Sequence, residues 1–298
     1  MLEISLLGQV AMRVDGRELS GVRGKPRQVL AILALHAGTP VSKERLADLL
    51  WEGNPPASYV STLDSYVCVL RRQLGLSAGR RSQLATTDVG FRLDISADVQ
   101  TDLFVFRALA RSTEDAANAD VVDRAEQAMA LITGDLVSDV PYAEWAVRAR
   151  DAFSREVVEL CLRGAQRANA LGESERAQRL ARAAVEHDAV CEDAWRQLML
   201  AHWFAGQRGA AIAAYGELRE VMAERLGGEP GQDSQQLYLT ILRDTSEAGP
   251  SPVDDQRSEL RLLLRLLRQA LDSTPGVRAP ARDGALSEVA MMALAGAC

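Results

Sequence analysis

Reactive side chains are scarce in this chain. Its four cysteines, Cys68, Cys161, Cys191 and Cys298, stand far apart and form neither a C-x-x-C pair nor a mixed Cys/His ligand set. They read as reduced, mostly buried thiols rather than as a metal site or a disulfide framework. The three histidines, His36, His187 and His202, have no companion nucleophile or acidic orienter at recognisable spacing. Neither a G-x-x-x-x-G-K-[ST] phosphate loop nor a strand-borne G-x-G-x-x-G is present. These absences argue against an enzyme and require no cofactor. No apolar run approaches ~18 residues, and the N-terminus lacks a basic stretch followed by an apolar core. The expectation is a cytoplasmic protein without a membrane anchor.

What the chain does have is apolar material and an uneven charge. With 298 residues, 47% of them hydrophobic, and a mean hydropathy of −0.08, it can fill about two sizeable cores. The formal net charge is −7, yet residues 1–100 carry 12 Lys+Arg against 10 Asp+Glu and the remainder carries 22 against 31. Phosphate binding depends on local positive charge. A nucleic-acid-facing end followed by an acidic, protein-facing end fits this distribution.

Residues 41–94 carry the sharpest local pattern: a helix, a turn, a second helix with paired arginines, then a β-hairpin. Pro55-Pro56 fix φ and keep the chain extended before the second helix starts. Val60, Leu63, Val67, Leu70 and Leu74 recur at steps of three and four, a stripe that should face a core. The other face carries Thr62, Ser65, Tyr66, Val69, Arg72 and Gln73, mostly small or hydrogen-bonding groups of the sort that let a helix approach base edges. Gly75 suits a left-handed helix end. Beyond Arg80-Arg81, residues 83–94 form two alternating runs bent around Asp88-Val89-Gly90, a hairpin signature. Arg71, Arg72, Arg80, Arg81 and Arg92 cluster here with few acids among them. The same pattern also fits an ordinary amphipathic helix whose arginines merely solvate a surface.

After Ser96–Asp102 the alternating pattern gives way to helical periodicity, and Asp102 can cap a helix through Leu103, Phe106, Leu109 and Ala110. Gly134-Asp-Leu136 and Asp139-Val-Pro-Tyr142 break the helical run, and Trp145 should anchor the long helix that follows. Gly172 and Gly206 lie 34 residues apart, as do Ala177 and Ala211, which is the tetratricopeptide period. The second copy keeps Trp195, Leu198, Tyr215 and their neighbours at repeat-like spacing. Two copies are few, so helices 102–131, 143–170 and 233–245 should cap them. Trp195, Trp203 and Tyr215 read as core. Residues 247–253 are a linker by composition, and an amphipathic, leucine- and arginine-rich helix is expected over 257–273.

These pieces, taken in order, resemble the Streptomyces antibiotic regulatory protein (SARP) family over residues 1–245. The resemblance rests on Ile4-Ser-Leu-Leu-Gly8 with Val14-Asp-Gly16, Lys25-Pro-Arg27 leading into Leu30–Gly38, and Val41-Ser-Lys-Glu-Arg-Leu46. It continues through Leu50-Trp-Glu-Gly53, Pro55-Pro-Ala57, Thr62-Leu63, Tyr66-Val67, Leu70-Arg-Arg72 and Gly90-Phe91, the last where the family has Gly-Tyr. Two departures stand out. Cys68-Val69-Leu70-Arg71 replaces the family's Ser-Arg-Leu-Arg, and Thr87-Asp88-Val89 replaces a wing that usually offers an arginine. Arginine is the usual bidentate reader of guanine and visitor to a narrow minor groove. The two losses predict weaker autonomous DNA binding.

The resemblance implies a mainly α protein with a small β component. Residues 1–98 form an OmpR-type winged helix-turn-helix. Residues 99–245 form an all-α, tetratricopeptide-like bacterial transcriptional activation domain. Residues 246–298 hold the linker, amphipathic helix and tail. Carried over by position, Thr62, Ser65, Tyr66 and Val69 face bases, while Trp51, Arg71, Arg72 and Arg92 hold the DNA backbone. Lys43 and Arg45 on the preceding helix, Arg80 and Arg81 in the basic cluster and Thr87 of the wing are expected to add backbone contacts. The implied partners are double-stranded DNA, bound at tandem repeats as a homodimer, and RNA polymerase through its sigma or alpha subunit region, with no membrane partner. The implied function is activation of a secondary-metabolite type pathway. A co-regulator, or a ligand-sensing scaffold, with weakened DNA binding is the alternative.

Overall fold

Two small sheets bracket the first three helices, and a helical array follows. The computed structural model describes residues 1–76, 82–114 and 118–244. Arg80, Arg81 and the expected helix over 257–273 lie outside the described residues.

The first sheet holds β1 (Leu2–Ser5), β2 (Ala11–Val14), β3 (Arg17–Glu18) and β7 (Val99–Thr101) in the order β3-β2-β1-β7. β1 pairs antiparallel with β2, Leu2 opposite Val14, and parallel with β7, Leu2 opposite Val99. Between these strands lie α1 (Gly24–Leu35), β4 (Val41–Ser42), α2 (Lys43–Trp51), α3 (Tyr59–Leu74), β5 (Leu84–Thr86) and β6 (Gly90–Leu93). Val29 to Ala34 of α1 are all buried, so this helix forms the centre of the N-terminal core rather than one wall of it. β6 pairs with both β5 and β4 in a three-stranded sheet.

The array comprises α4 (Asp102–Ser112), α5 (Asn118–Met129), α6 (Glu144–Ala170), α7 (Ser174–His187), α8 (Glu192–Phe204), α9 (Arg208–Leu226) and α10 (Gln232–Arg243). Gly172 (φ 74°) and Gly206 (φ 73°) make the turns of the α6–α7 and α8–α9 hairpins, and Ala177 and Ala211 are fully buried beside them. The 34-residue repeat is therefore structural. Trp145 and Trp195 are buried, and Trp195 Nε1 donates to the Ala189 carbonyl. Tyr215 stacks on Tyr238 at 4.1 Å, joining α9 to α10.

Several expectations need correction. Val60 is exposed, because it lies in the first turn of α3 at the edge of the apolar stripe. The expected flanking helix over 102–131 is two helices, α4 and α5. Its cap is Thr101, whose Oγ1 accepts the Phe104 N–H, and not Asp102. Of the described cysteines Cys161 is buried, which pushes its thiol up to about 12, whereas Cys68 is exposed and Cys191 half-buried. Ser154 Oγ lies 3.1 Å from His187 Nδ1, a neighbour that spacing did not disclose, and the hydroxyl also lies 3.2 Å from the His187 carbonyl.

Asp102 does something more consequential than capping. Its carboxylate accepts the N–H groups of Leu6 and Leu7 at 2.8 to 3.0 Å, together with that of Leu103 at 2.7 Å. Burial raises its pKa, while those hydrogen bonds pull the other way. From the far side the same β1–β2 turn is met by residues 133–139. Thr133 N–H and Oγ1 donate to the Leu7 carbonyl, Val137 N–H to Leu6, and Ser138 N–H to Gly8. Gly8 has φ 144°, and a Cβ there would lie 2.4 Å from Thr133 Oγ1. Asp139 accepts the Val10 N–H and pairs with Arg27 of α1 at 3.3 Å. Arg150 of α6 fastens the same loop through the carbonyls of Leu136, Val137, Val140 and Pro141. Met1–Thr245 is accordingly one compact unit.

Asp102→Ala should cost about 3 kcal/mol of stability, since it removes the acceptor from three N–H groups, two of them in the partly buried β1–β2 turn. A fall in the urea midpoint at constant slope checks it. A loss under about 1 kcal/mol would mean that water replaces the carboxylate.

Candidate nucleic-acid interface

α3 presents two different surfaces. Leu63, Val67, Leu70 and Leu74 are buried against α1 and α2. Ser61, Ser65, Cys68 and Arg72, at steps of four, three and four, form the exposed stripe opposite them. Thr62, Tyr66 and Val69 flank this stripe and are half-buried, with Tyr66 packed on the core. Ser65 is therefore the most outward of the four residues assigned to bases. The hydroxyls are oriented by their own helix: Thr62 Oγ1 donates to the Ser58 carbonyl and Ser65 Oγ to that of Ser61, both at 2.9 Å. Their lone pairs remain as acceptors.

The basic residues divide by what already holds them. Arg71 crosses to the hairpin, where Nε and Nη2 donate to the Leu84 carbonyl at 3.0 and 2.7 Å and Nη2 also to Thr86 Oγ1. Burial there lowers its pKa, but a guanidinium stays charged. Arg92 forms a two-pronged pair with Asp94 at 2.6 and 2.8 Å, which raises the pKa of its guanidinium. Lys43 Nζ sits between the two carboxylate oxygens of Asp64 at 2.7 and 2.9 Å and 5.4 Å from the centre of the Phe91 ring. Trp51 is half-buried beneath Lys25, whose Nζ lies 5.7 Å from its ring. Thr87 closes the hairpin turn by accepting the Gly90 N–H on Oγ1. Arg45 and Arg72 have exposed side chains.

The helix pattern located α3 and its exposed face. It did not reveal that Arg71, rather than reaching outward, fixes the hairpin to α3. Nor did it single out Asp64, which meets Lys43 from 21 residues away. Among the described residues there is no cluster of three or more potential metal ligands and no helix long and apolar enough to cross a membrane.

Comparisons with known proteins agree with this anatomy. A family described as "Bacterial transcriptional activator domain" matches residues 101–242, and one described as "Transcriptional regulatory protein, C terminal" matches residues 19–93. Regulatory protein DnrI of Streptomyces peucetius is 31% identical over 260 residues, spanning 81% of this chain and 92% of that protein. Transcriptional regulatory protein MoaR1 of Mycobacterium tuberculosis is 29% identical, spanning 85% of this chain and 81% of its own. The solved structure of Mycobacterium tuberculosis EmbR in complex with a low affinity phosphopeptide superposes with a TM-score of 0.71, covering 93% of this chain and 73% of that one at 24% identity.

Arg71→Lys keeps the charge but loses the planar fork. Amide exchange across residues 84–93 should accelerate by about tenfold, corresponding to roughly 1.4 kcal/mol of lost hairpin anchoring. Unchanged protection would show that the β4–β6 pairing alone holds the hairpin.

Proposed function

This chain belongs to the Streptomyces antibiotic regulatory protein family of DNA-binding transcriptional regulators, and from that premise we propose that it is a sequence-specific activator of a biosynthetic pathway. It acts in the cytoplasm. α3 enters the major groove, the β5–β6 hairpin meets the adjacent backbone, and two copies occupy tandem repeats near a promoter. The helical array, acidic and fixed behind the first sheet, recruits RNA polymerase through its sigma or alpha subunit region. The observation that carries this reading is the open stripe Ser61, Ser65, Cys68 and Arg72 beside a hairpin that Arg71 holds in place.

Base contacts on this reading come first from Ser65, with Thr62, Tyr66 and Val69 at the flank. Phosphate contacts come first from Arg45 and Arg72, whose charges are not drawn into the ion pairs described above. Arg80 and Arg81 belong to the same phosphate set on sequence grounds. Lys43 and Arg92 reach phosphates only by sharing their carboxylate partners, and Trp51 and Thr87 support the backbone-facing edges.

A second reading has a specific observation in its favour. Valine at 69 and threonine at 87 remove two family arginines, and Arg71 and Arg92 are engaged within the protein. Autonomous affinity is then low, and the chain works as a co-regulator that binds DNA well only together with polymerase. Gel-shift titrations with and without polymerase separate the two readings. Footprinting on the DNA flanking its own gene tests the repeats and the stoichiometry.

Arg72→Ala should weaken binding at every sequence and flatten the plot of log affinity against log salt by about one unit, the loss of a single phosphate contact. An unchanged slope would remove Arg72 from the phosphate set.

A further inference from the structure

A carboxylate stands where a polyanion is expected to dock. Asp64 lies on α3, one helical step around from the outward stripe and on the side of the hairpin, with half of its side chain exposed. It is held by a defined geometry. Lys43 Nζ bridges both of its oxygens at 2.7 and 2.9 Å, and Lys43 is itself fixed, because its backbone N–H donates to the Val89 carbonyl and its ammonium lies 5.4 Å from the centre of the Phe91 ring. α3, the first turn of α2 and the hairpin thus meet at this one ion pair.

An exposed carboxylate repels phosphates and penalises all DNA alike unless a base repays it. In the major groove, guanine offers two acceptors, thymine an acceptor and a methyl group, and adenine an amine beside the acceptor N7. Only cytosine presents a donor at that edge without an acceptor of its own, and carboxylates accept from its N4 amine. Lys43 neutralises the charge, keeping the approach to DNA tolerable, and with one contact from Nζ on each oxygen the half-exposed carboxylate retains further lone pairs as acceptors.

Resting on the DNA-binding reading above, we propose that Asp64 is a sequence-discriminating residue that selects cytosine at one operator position, with Lys43 as its positioning residue. The carboxylate adds little affinity, because any gain at cytosine is set against repulsion from the backbone. Its effect is to reject duplexes that place another base there.

The test uses the full chain and selection from a randomised duplex library, followed by sequencing of the bound fraction. The unmodified protein should enrich a site with cytosine at one position next to the α3 contacts. Asp64→Ala should lose the preference at that position alone, bind an unrelated duplex more tightly, and lower the ratio of specific to nonspecific affinity by about tenfold. Asp64→Asn should move the preference to adenine, since an amide pairs with both its N6 amine and its N7. Lys43→Gln should blur the same position without replacing it. Identical preferences in Asp64→Ala and the unmodified chain would overturn the assignment, as would a uniform rise in affinity for all duplexes. If the unmodified chain enriches no sequence, the DNA-reading function itself falls, a failure distinct from loss of the Asp64 assignment alone.

Discussion

The short turn between the first two strands holds the molecule together. Leu6, Leu7 and Gly8 place their peptide groups between Asp102 on one side and residues 133–138 on the other. Leu6 and Leu7 are buried as well, so the turn combines apolar burial with hydrogen bonds that water cannot easily replace. Segments more than 90 residues apart in sequence are the partners. A loop that satisfies its polar groups in this way leaves little freedom for the helical array to swing against the first sheet. Arg107 adds a second tie, pairing with Glu156 of α6 and donating to the Leu35 carbonyl at the end of α1.

Rigidity of this kind changes what the two ends of the chain can do together. Domains joined by a linker default to relative motion. Here β7 is a strand of the N-terminal sheet and runs directly into α4, whose first residue is Asp102. A partner bound by the array is therefore presented at a fixed angle to α3, and the entropy of ordering the two parts has already been paid in folding. On the proposed reading, a weak contact to DNA and a weak contact to a partner would reinforce one another through effective concentration rather than through any change of shape.

How much of this was legible depended on the range of each interaction. The α3 stripe Leu63, Val67, Leu70 and Leu74, the helix end at Gly75, the hairpin near Val89 and the 34-residue repeat are set within one or two turns or by strict periodicity, and all could be read in sequence. The roles of Arg71, Asp64 and Asp102 could not. Arg71 and Arg72 are neighbours in sequence, yet they diverge by about 100° around a helix axis. The phase of the apolar stripe sends Arg72 to solvent, but that Arg71 meets the Leu84 carbonyl depends on where the hairpin packs, which the local pattern does not hold. Asp102 carried a plausible local role as a cap, but Thr101 fills that role and the carboxylate answers to a turn at the other end of the domain.

The same distinction bears on how specificity would arise on the DNA-binding reading proposed above. Arginines that read guanine bring affinity and selectivity at once, and two such positions are valine and threonine here. The positive charge that remains near α3 is partly matched by acids, Lys43 by Asp64 and Arg92 by Asp94. Matching of this kind lowers the sequence-independent phosphate term, which otherwise favours every duplex equally. What is left depends more on hydroxyls, a thiol and a carboxylate, groups that contribute little until the correct base edge meets them. On that reading a surface built this way would give up raw affinity, which a rigidly attached array with its own partner would supply, and retain discrimination.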